Sequence, residues 1–455
     1  MMTKEQLMEK VRSLEPLCQE TARYLWNHPE VGGEEVQSSA YLRKVMEDNG
    51  FRIVNGSRLE HSFYAEYGSG KPVIGLLAEF DALPRLSQKV CDTQAAVEEG
   101  APGHGCSHNL IGSSCVTAAV ALKQILEAEH RSGTIRFYGC PQEELLNGKT
   151  QMIKDHMFDT CDAALTWHPN FANKVHEHNF LANASVRFHF TGKAAHAGVA
   201  PERGRSALDA VELMDVGCNY LREHVIDKAR IHYNVDCYGC PPNIVPPKAS
   251  SWYFVRAPYM SDVKEIMERI FDVARGAALM TGTKVDIEVE NGCCELMSSE
   301  AYADITYENM QAAQLPVYTN DELEFIHRMQ KTFDANQIAR LRRVLGESVN
   351  DIHRKVGGRY IGEKLTGTAS SDAGDVSQIM PTNFFTVATW PFGCIAHTWQ
   401  TTVFSGSTVG EKGALYAAQI MAGTAYDLLT DPQKLQTVTE DFQKSRNPDY
   451  EPMVK

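Results

Sequence analysis

The chain has 455 residues, more than one compact core usually holds, and its 43% apolar content supports ordinary globular packing in two or three domains. A formal charge of -14 argues against a polyanionic partner, because nucleic acid or an anionic membrane needs a basic face. No run approaches the ~18 uninterrupted apolar residues of a membrane span. The first residues alternate charges (Lys4, Glu5, Glu9, Lys10, Arg12) instead of placing a basic end before an apolar segment, so a cytoplasmic protein is expected.

Twelve cysteines are scattered along the chain without a small-domain framework, which makes reduced, mostly core-filling thiols the expectation. Cys237-Tyr-Gly-Cys240 has the spacing of a zinc or redox pair. Its only conceivable complement is Cys293-Cys294, and Pro241-Pro242 follows it, so no metal role is assigned to it.

The first third alternates helix and strand. Helices are expected from Pro16 to Asn27 and from Ser38 to Asp48, closed by Pro29 and Gly50. The apolar run Val73 to Ala78 reads as a strand buried on both faces, with Glu79, Asp81 and Pro84 at its far end. A long helix from Ile111 to Ala128 precedes a second buried strand, Thr134 to Cys140, which leads into Glu143 and Glu144. A third strand, Asp162 to Trp167, delivers His168. In open α/β sheets a site forms beyond the carboxyl ends of the strands, where these ligand-type residues would gather.

The pattern changes near residue 183. Ala184, Val186, Phe188 and Phe190 alternate with polar residues, as do Val285, Ile287 and Val289, which marks strands with one wet face. With a strand at Ser251 to Arg256 and helices at Ser206 to His224 and from Ser261, as amino cap, to Met280, this reads as a small α+β domain. The fold class expected is therefore α/β: a mixed, mostly parallel sheet flanked by helices (1–182 and 295–455) with an inserted domain at 183–294. Asn320 to Glu347 reads as a solvated helical stretch containing Arg340, Arg342 and Arg343. Gly367 to Asp375 reads as a loop, and His397 is one more ligand candidate near the end.

Cys106 and His108, one residue apart, join Glu144, His168 and His397 as possible ligands. Five exceed a four-coordinate structural site, and two metals sharing a bridging ligand fit better. Glu143 is the natural general base and Asp81 the residue to orient an imidazole. His104 is ambiguous between ligand and loop support. His28, His61, His156, His176, His178, His189, His224, His232 and His353 read as surface or packing residues. Asn147-Gly148-Lys149-Thr150 is no phosphate loop, since Glu143 stands where that motif needs glycine.

Ala78-Glu-Phe-Asp-Ala-Leu-Pro84, Gly103 to Asn109, Pro141 to Glu144, Trp167-His168-Pro169, Gly192 to Ala197 and His397-Thr-Trp resemble the di-metal peptidases and amidohydrolases that include aminoacylases and carboxypeptidase G. Within that family they are most similar to the p-aminobenzoyl-glutamate hydrolase branch, over about residues 20 to 425. The resemblance implies metal binding by Cys106, His108, Glu144, His168 and His397, with Glu143 as base. It implies an inserted lid that mediates dimerisation, with itself or with a related A-type subunit. His196 would bind substrate or stabilise the oxyanion, commonly across the dimer, and Asn243 and Arg256 would face the substrate. The reaction implied is amide hydrolysis of N-acyl or N-aroyl amino acids, p-aminobenzoyl-glutamate first; a dipeptidase, or a non-catalytic binding protein, is the alternative. Thiolate and imidazole softness favours zinc, the branch manganese. The chain departs from the family in Leu145-Leu146 after the carboxylates, Ser107 for a usual glycine, and Asn109 for a common aspartate.

Overall fold

The computed structural model describes every residue except 1, 176–179, 238, 298, 346–350, 358–368 and 455. Two compact units emerge. One comprises 1–178, 297–365 and 376–450, and the other 179–296, 366–375 and 451–455.

The larger unit is built on a seven-stranded sheet. In chain order its strands are β1 (Arg52–Val54), β2 (Phe63–Ser69), β3 (Val73–Glu79), β4 (Gly133–Cys140), β5 (Ala163–Asn170), β6 (Lys174–Val175) and, after the four strands of the smaller unit, β11 (Thr382–Ala388). Their order across the sheet is β1-β2-β4-β3-β5-β11-β6, with β4, β3, β5 and β11 mutually parallel and β1, β2 and β6 antiparallel at the margins. Every residue of β3 is buried, because the pleat sends Ile74, Leu76 and Ala78 into one cluster and Leu77 into the opposite one. The first cluster lies under helices His108–Glu129 and Thr408–Thr430, which pack on each other. The second holds Tyr138, Met152, Phe158, Val376 and Met380. Helix His108–Glu129 is long and apolar enough to cross a membrane, but 89% of its apolar window is buried within the fold, as in a core helix.

The smaller unit has a four-stranded antiparallel sheet, ordered β10-β7-β9-β8, from β7 (Ala182–Thr191), β8 (Arg230–Cys237), β9 (Lys248–Ala257) and β10 (Lys284–Cys293). Val186, Phe188 and Phe190 are buried beneath helices Ala207–Leu221 and Met260–Thr281, while Arg187 and His189 pair with Glu290 and Glu288 on the other face.

Several expectations need correction. Strand β8 has no counterpart in the sequence reading, although Ile231, Tyr233, Val235 and Cys237 alternate with His232, Asn234 and Asp236 as a strand with one wet face does. Helix Met260–Thr281 starts one residue before Ser261; its cap is tertiary, with Glu295 Oε2 accepting the Met260 N–H at 3.0 Å. The polar stretch from Asn320 is two helices, Asn320–Gln330 and Ala335–Leu345, with Arg340, Arg342 and Arg343 on the second; 346 and 347 lie outside the described residues. Gly367 and Thr368 also lie outside them, and Ala373–Ile379 is helical, not loop. The Cys237 side chain and Tyr238 are likewise outside, as are His176 and His178.

Candidate metal centre

The carboxyl ends of β3, β4 and β5 bring the ligand candidates together. The loop after β3 carries Asp81, and a short 3-10 turn, Glu143–Leu145, follows β4. His168 lies within β5, two residues before its end, and is not the terminal residue expected. Helix His108–Glu129 starts at His108, earlier than its apolar run begins.

Cys106 Sγ and His168 Nε2 approach to 3.3 Å, and His397 Nε2 stands 3.5 Å from Glu144 Oε1. His108 Nε2 is 3.8 Å from Glu143 Oε2 and 3.9 Å from Glu144 Oε1. Ligand atoms within 4.8 Å of one another form three overlapping groups: Cys106 with His108 and His168, Cys106 with Glu144 and His397, and Glu79 with His108 and Glu143. Cys106 and His108 each belong to two of them.

The imidazoles are set for coordination by their other nitrogens. His108 Nδ1–H donates to Asp81 Oδ1 at 2.7 Å, and His168 Nδ1–H donates to the Pro169 carbonyl at 2.7 Å, which points both Nε2 atoms into the cluster. Among the described residues, buried His108 Nε2 and Glu144 Oε1 have no hydrogen-bond partner. Orphaned buried atoms of this kind are costly unless something binds them, and a cation fits that donor set. Burial, helped by neighbouring His108, pushes His168 down to about 4, so it is neutral at pH 7 as a ligand must be. Burial opposes ionisation of Asp81, but His108 and the Glu144 N–H outweigh it and hold its carboxyl below the usual range. Burial and the Glu144 carboxylate push the Cys106 thiol up, and burial raises Glu144. Crowded acids and a thiol therefore invite positive charge.

Local backbone explains the departures. Ser107 sits in the left-handed region at φ 66, where glycine is the easier residue, and its hydroxyl is 2.5 Å from that of Ser405. Asn109 Nδ2 donates to the carbonyls of Ala22 and Ser405, which an aspartate could not do. His397 also has positive φ, and its N–H donates to the Gly105 carbonyl at 2.8 Å, tying the late loop to the Cys106 loop. His104 Nε2–H donates to the Leu25 carbonyl, which is loop support.

Sequence reasoning placed Glu79 at a strand end without giving it a role, and considered Lys149 only within a rejected phosphate loop. Glu79 Oε1 pairs with fully buried Lys149 Nζ at 2.7 Å, and Glu79 Oε2 lies 3.6 Å from His108 Nε2. The signal was present: a second acid two residues before Asp81, and a lysine in a buried segment.

In the smaller unit, His196 and Asn243 lie on paired loops: His196 bridges Ile244, and the Ala197 N–H donates to the Asn243 carbonyl at 2.9 Å. Arg256 projects from β9, and its buried Nε has no hydrogen-bond partner among the described residues.

A peptidase dimerisation domain model of the M20 type matches residues 182–279. The chain is 38% identical to one component of the Escherichia coli p-aminobenzoyl-glutamate hydrolase, its B-type subunit, over 93% of this chain and 91% of that one. The chain belongs to the M20 family. Mouse Xaa-Arg dipeptidase is 27% identical over 92% of this chain and 88% of its own. Among solved structures, the Bacillus subtilis YXEP protein, described as a dinuclear metal binding peptidase, shares the fold at a TM-score of 0.59 and 17% identity, covering 92% of this chain and 99% of its own. Membership of the M20 family makes the protein a hydrolase and agrees with the expected fold class.

Proposed function

We propose that the protein is a cytoplasmic di-metal amidohydrolase that cleaves N-acyl or N-aroyl amino acids, with p-aminobenzoyl-glutamate as the leading substrate. The observation that carries this reading is the convergence of Cys106, His108, Glu144, His168 and His397 around orphaned ligand atoms, with Glu143 beside them. The likeness to a component of a p-aminobenzoyl-glutamate hydrolase supports the substrate.

Cys106, His108, Glu144, His168 and His397 would hold two divalent ions, manganese or zinc. When bound, such ions polarise an amide carbonyl and lower the pKa of water toward about 7. Glu143 takes the proton of the attacking water and delivers it to the leaving nitrogen, which is general acid-base work by one carboxylate. Asp81 fixes the His108 tautomer and, through the Glu144 N–H, the turn that carries both glutamates.

Residues 183–294 serve as the dimerisation domain within the catalytic halves 1–182 and 295–455. Leu213, Val216 and Tyr220 form an exposed stripe at helical spacing, and Val235 lies exposed on edge strand β8, which suits a second copy or a related A-type subunit. The A-type component of the E. coli hydrolase is itself 26% identical over 62% of this chain and 66% of its own. His196 stabilises the oxyanion, reaching the partner protomer's site, while Asn243 and Arg256 bind substrate, the Arg256 fork taking a carboxylate.

The test is turnover of p-aminobenzoyl-glutamate, N-acetyl amino acids and Xaa-Arg dipeptides by metal-reconstituted protein, before and after chelation. Chelator-sensitive cleavage led by the aroyl substrate supports the reading. Preference for dipeptides transfers it to a dipeptidase, and no hydrolysis under any metal leaves a binding protein.

A further inference from the structure

The 3-10 turn that carries Glu143 and Glu144 is held in a costly conformation. Gln142 before it and Leu146 after it both adopt left-handed backbone, at φ 60 and φ 56, without being glycine. Left-handed backbone crowds the Cβ of any residue but glycine, so the turn keeps its shape only because its surroundings impose it. Two carboxylates from other segments grip alternate amides of this turn. One is Asp81, whose Oδ2 accepts the Glu144 N–H at 2.8 Å. The other is Glu35.

Glu35 is fully buried. Its Oε1 accepts the Gln142 N–H at 2.8 Å and its Oε2 accepts the Gly33 N–H at 2.7 Å, so one side chain ties its own loop to the turn. The two loops lie in van der Waals contact: a Cβ at Gly32 would stand 3.3 Å from Gln142 Cα and 3.1 Å from Leu145 Cγ. Nearby Glu30 also accepts two backbone amides, of Gln37 and Ser38, but these start the helix Val36–Asp48 and do not reach the turn. Burying Glu35 close to Asp81 works against its ionisation, which pushes its carboxyl up to about 7. A glutamine would avoid that cost in plain packing.

We propose that Glu35 is a positioning residue for hydrolysis, clamping the Gln142 amide so that Glu143 and Glu144 face the metal centre in register. An amide side chain at this position cannot replace it, because one of its two heavy atoms is a donor and would meet a backbone N–H. The claim rests on the hydrolase reading above, and backbone exchange tests the clamp whether or not that reading holds.

The experiment compares wild type, Glu35→Gln, Glu35→Asp and Glu30→Gln by hydrogen-deuterium exchange of peptides spanning 139–147 and by kinetics at saturating manganese or zinc. Glu35→Gln is expected to speed exchange of 139–147 tenfold or more, leave 108–129 unchanged, and lower kcat tenfold or more with KM within threefold. Glu35→Asp, too short to reach both amides, is expected to fall between, and it keeps the test open if the glutamine variant fails to fold. Glu30→Gln is expected to lower thermal stability with kcat unchanged. Native exchange of 139–147 in a folded Glu35 variant overturns the clamp, as does loss of activity in both loop variants in proportion to their loss of stability. Absence of hydrolysis in wild type, with faster exchange in Glu35→Gln, would refute the enzyme reading and leave the clamp standing.

Discussion

Replacing Asp81 by asparagine should loosen the metal centre while leaving every proposed ligand in place. Both carboxylate oxygens are committed, Oδ1 to the His108 Nδ1–H and Oδ2 to the Glu144 N–H. An asparagine offers one acceptor and one donor, so one of these two buried donors must face an NH2 group. If the oxygen keeps His108, the Glu144 amide loses a charge-assisted bond worth about 1.5–3 kcal/mol. If it keeps Glu144, His108 is driven to the tautomer with its proton on Nε2, the atom aimed at the metal. Loss of an outer partner to a ligating histidine typically costs about 10–100-fold in affinity, which at about 1.4 kcal/mol per decade agrees with the hydrogen-bond figure. The assay is competition for manganese or zinc against a chromophoric chelator, alongside melting of metal-free protein to separate folding from binding. An Asp81→Asn protein that binds both ions within twofold of wild type would refute the argument.

Glu143→Gln should retain its metals and lose about 10²–10⁴-fold in kcat, whereas Glu144→Gln should lose metal, as read by elemental analysis. Arg256→Ala should raise KM by about 2–5 kcal/mol of lost carboxylate binding, and Arg256→Lys should recover part of that in Michaelis kinetics, since lysine lacks the fork. Mixed dimers of Glu143→Gln and His196→Ala protomers should regain activity if His196 serves its neighbour's site; a mixture shown by mass to contain heterodimers but still inactive would place His196 elsewhere. Burial works against ionisation of Glu66, yet Arg136 and Arg52 outweigh it and hold its carboxyl below the usual range. Its contribution to stability is therefore present above the unfolded value of about 4.3 and lost as pH falls through the lower folded value. The melting difference between wild type and Glu66→Gln should shrink below that pH, and a difference that grows on acidification would contradict the pairing.

The sequence by itself named the candidate residues of the centre. Cys106, His108, the Glu143-Glu144 pair, His168 and His397 are ligand and base types that stand out where they follow buried strands, and apolar runs such as Val73 to Ala78 are legible because burial on both faces leaves no polar alternation. The fully buried strand β11 and the core helix Thr408–Thr430 escaped notice, though they complete the sheet and its cover. Edge strand β8 also escaped, although Ile231, Tyr233, Val235 and Cys237 alternate with polar residues and its period of two was there to read. Tertiary structure alone decided which acid holds which imidazole, that Lys149 lies buried against Glu79, and that Glu35 reaches the Gln142 amide. The physical reason is distance along the chain. Periodicity and caps report on neighbours a few residues apart, whereas a buried carboxylate is stabilised by whatever donors the fold brings to it, and for Glu35 that donor lies 107 residues away.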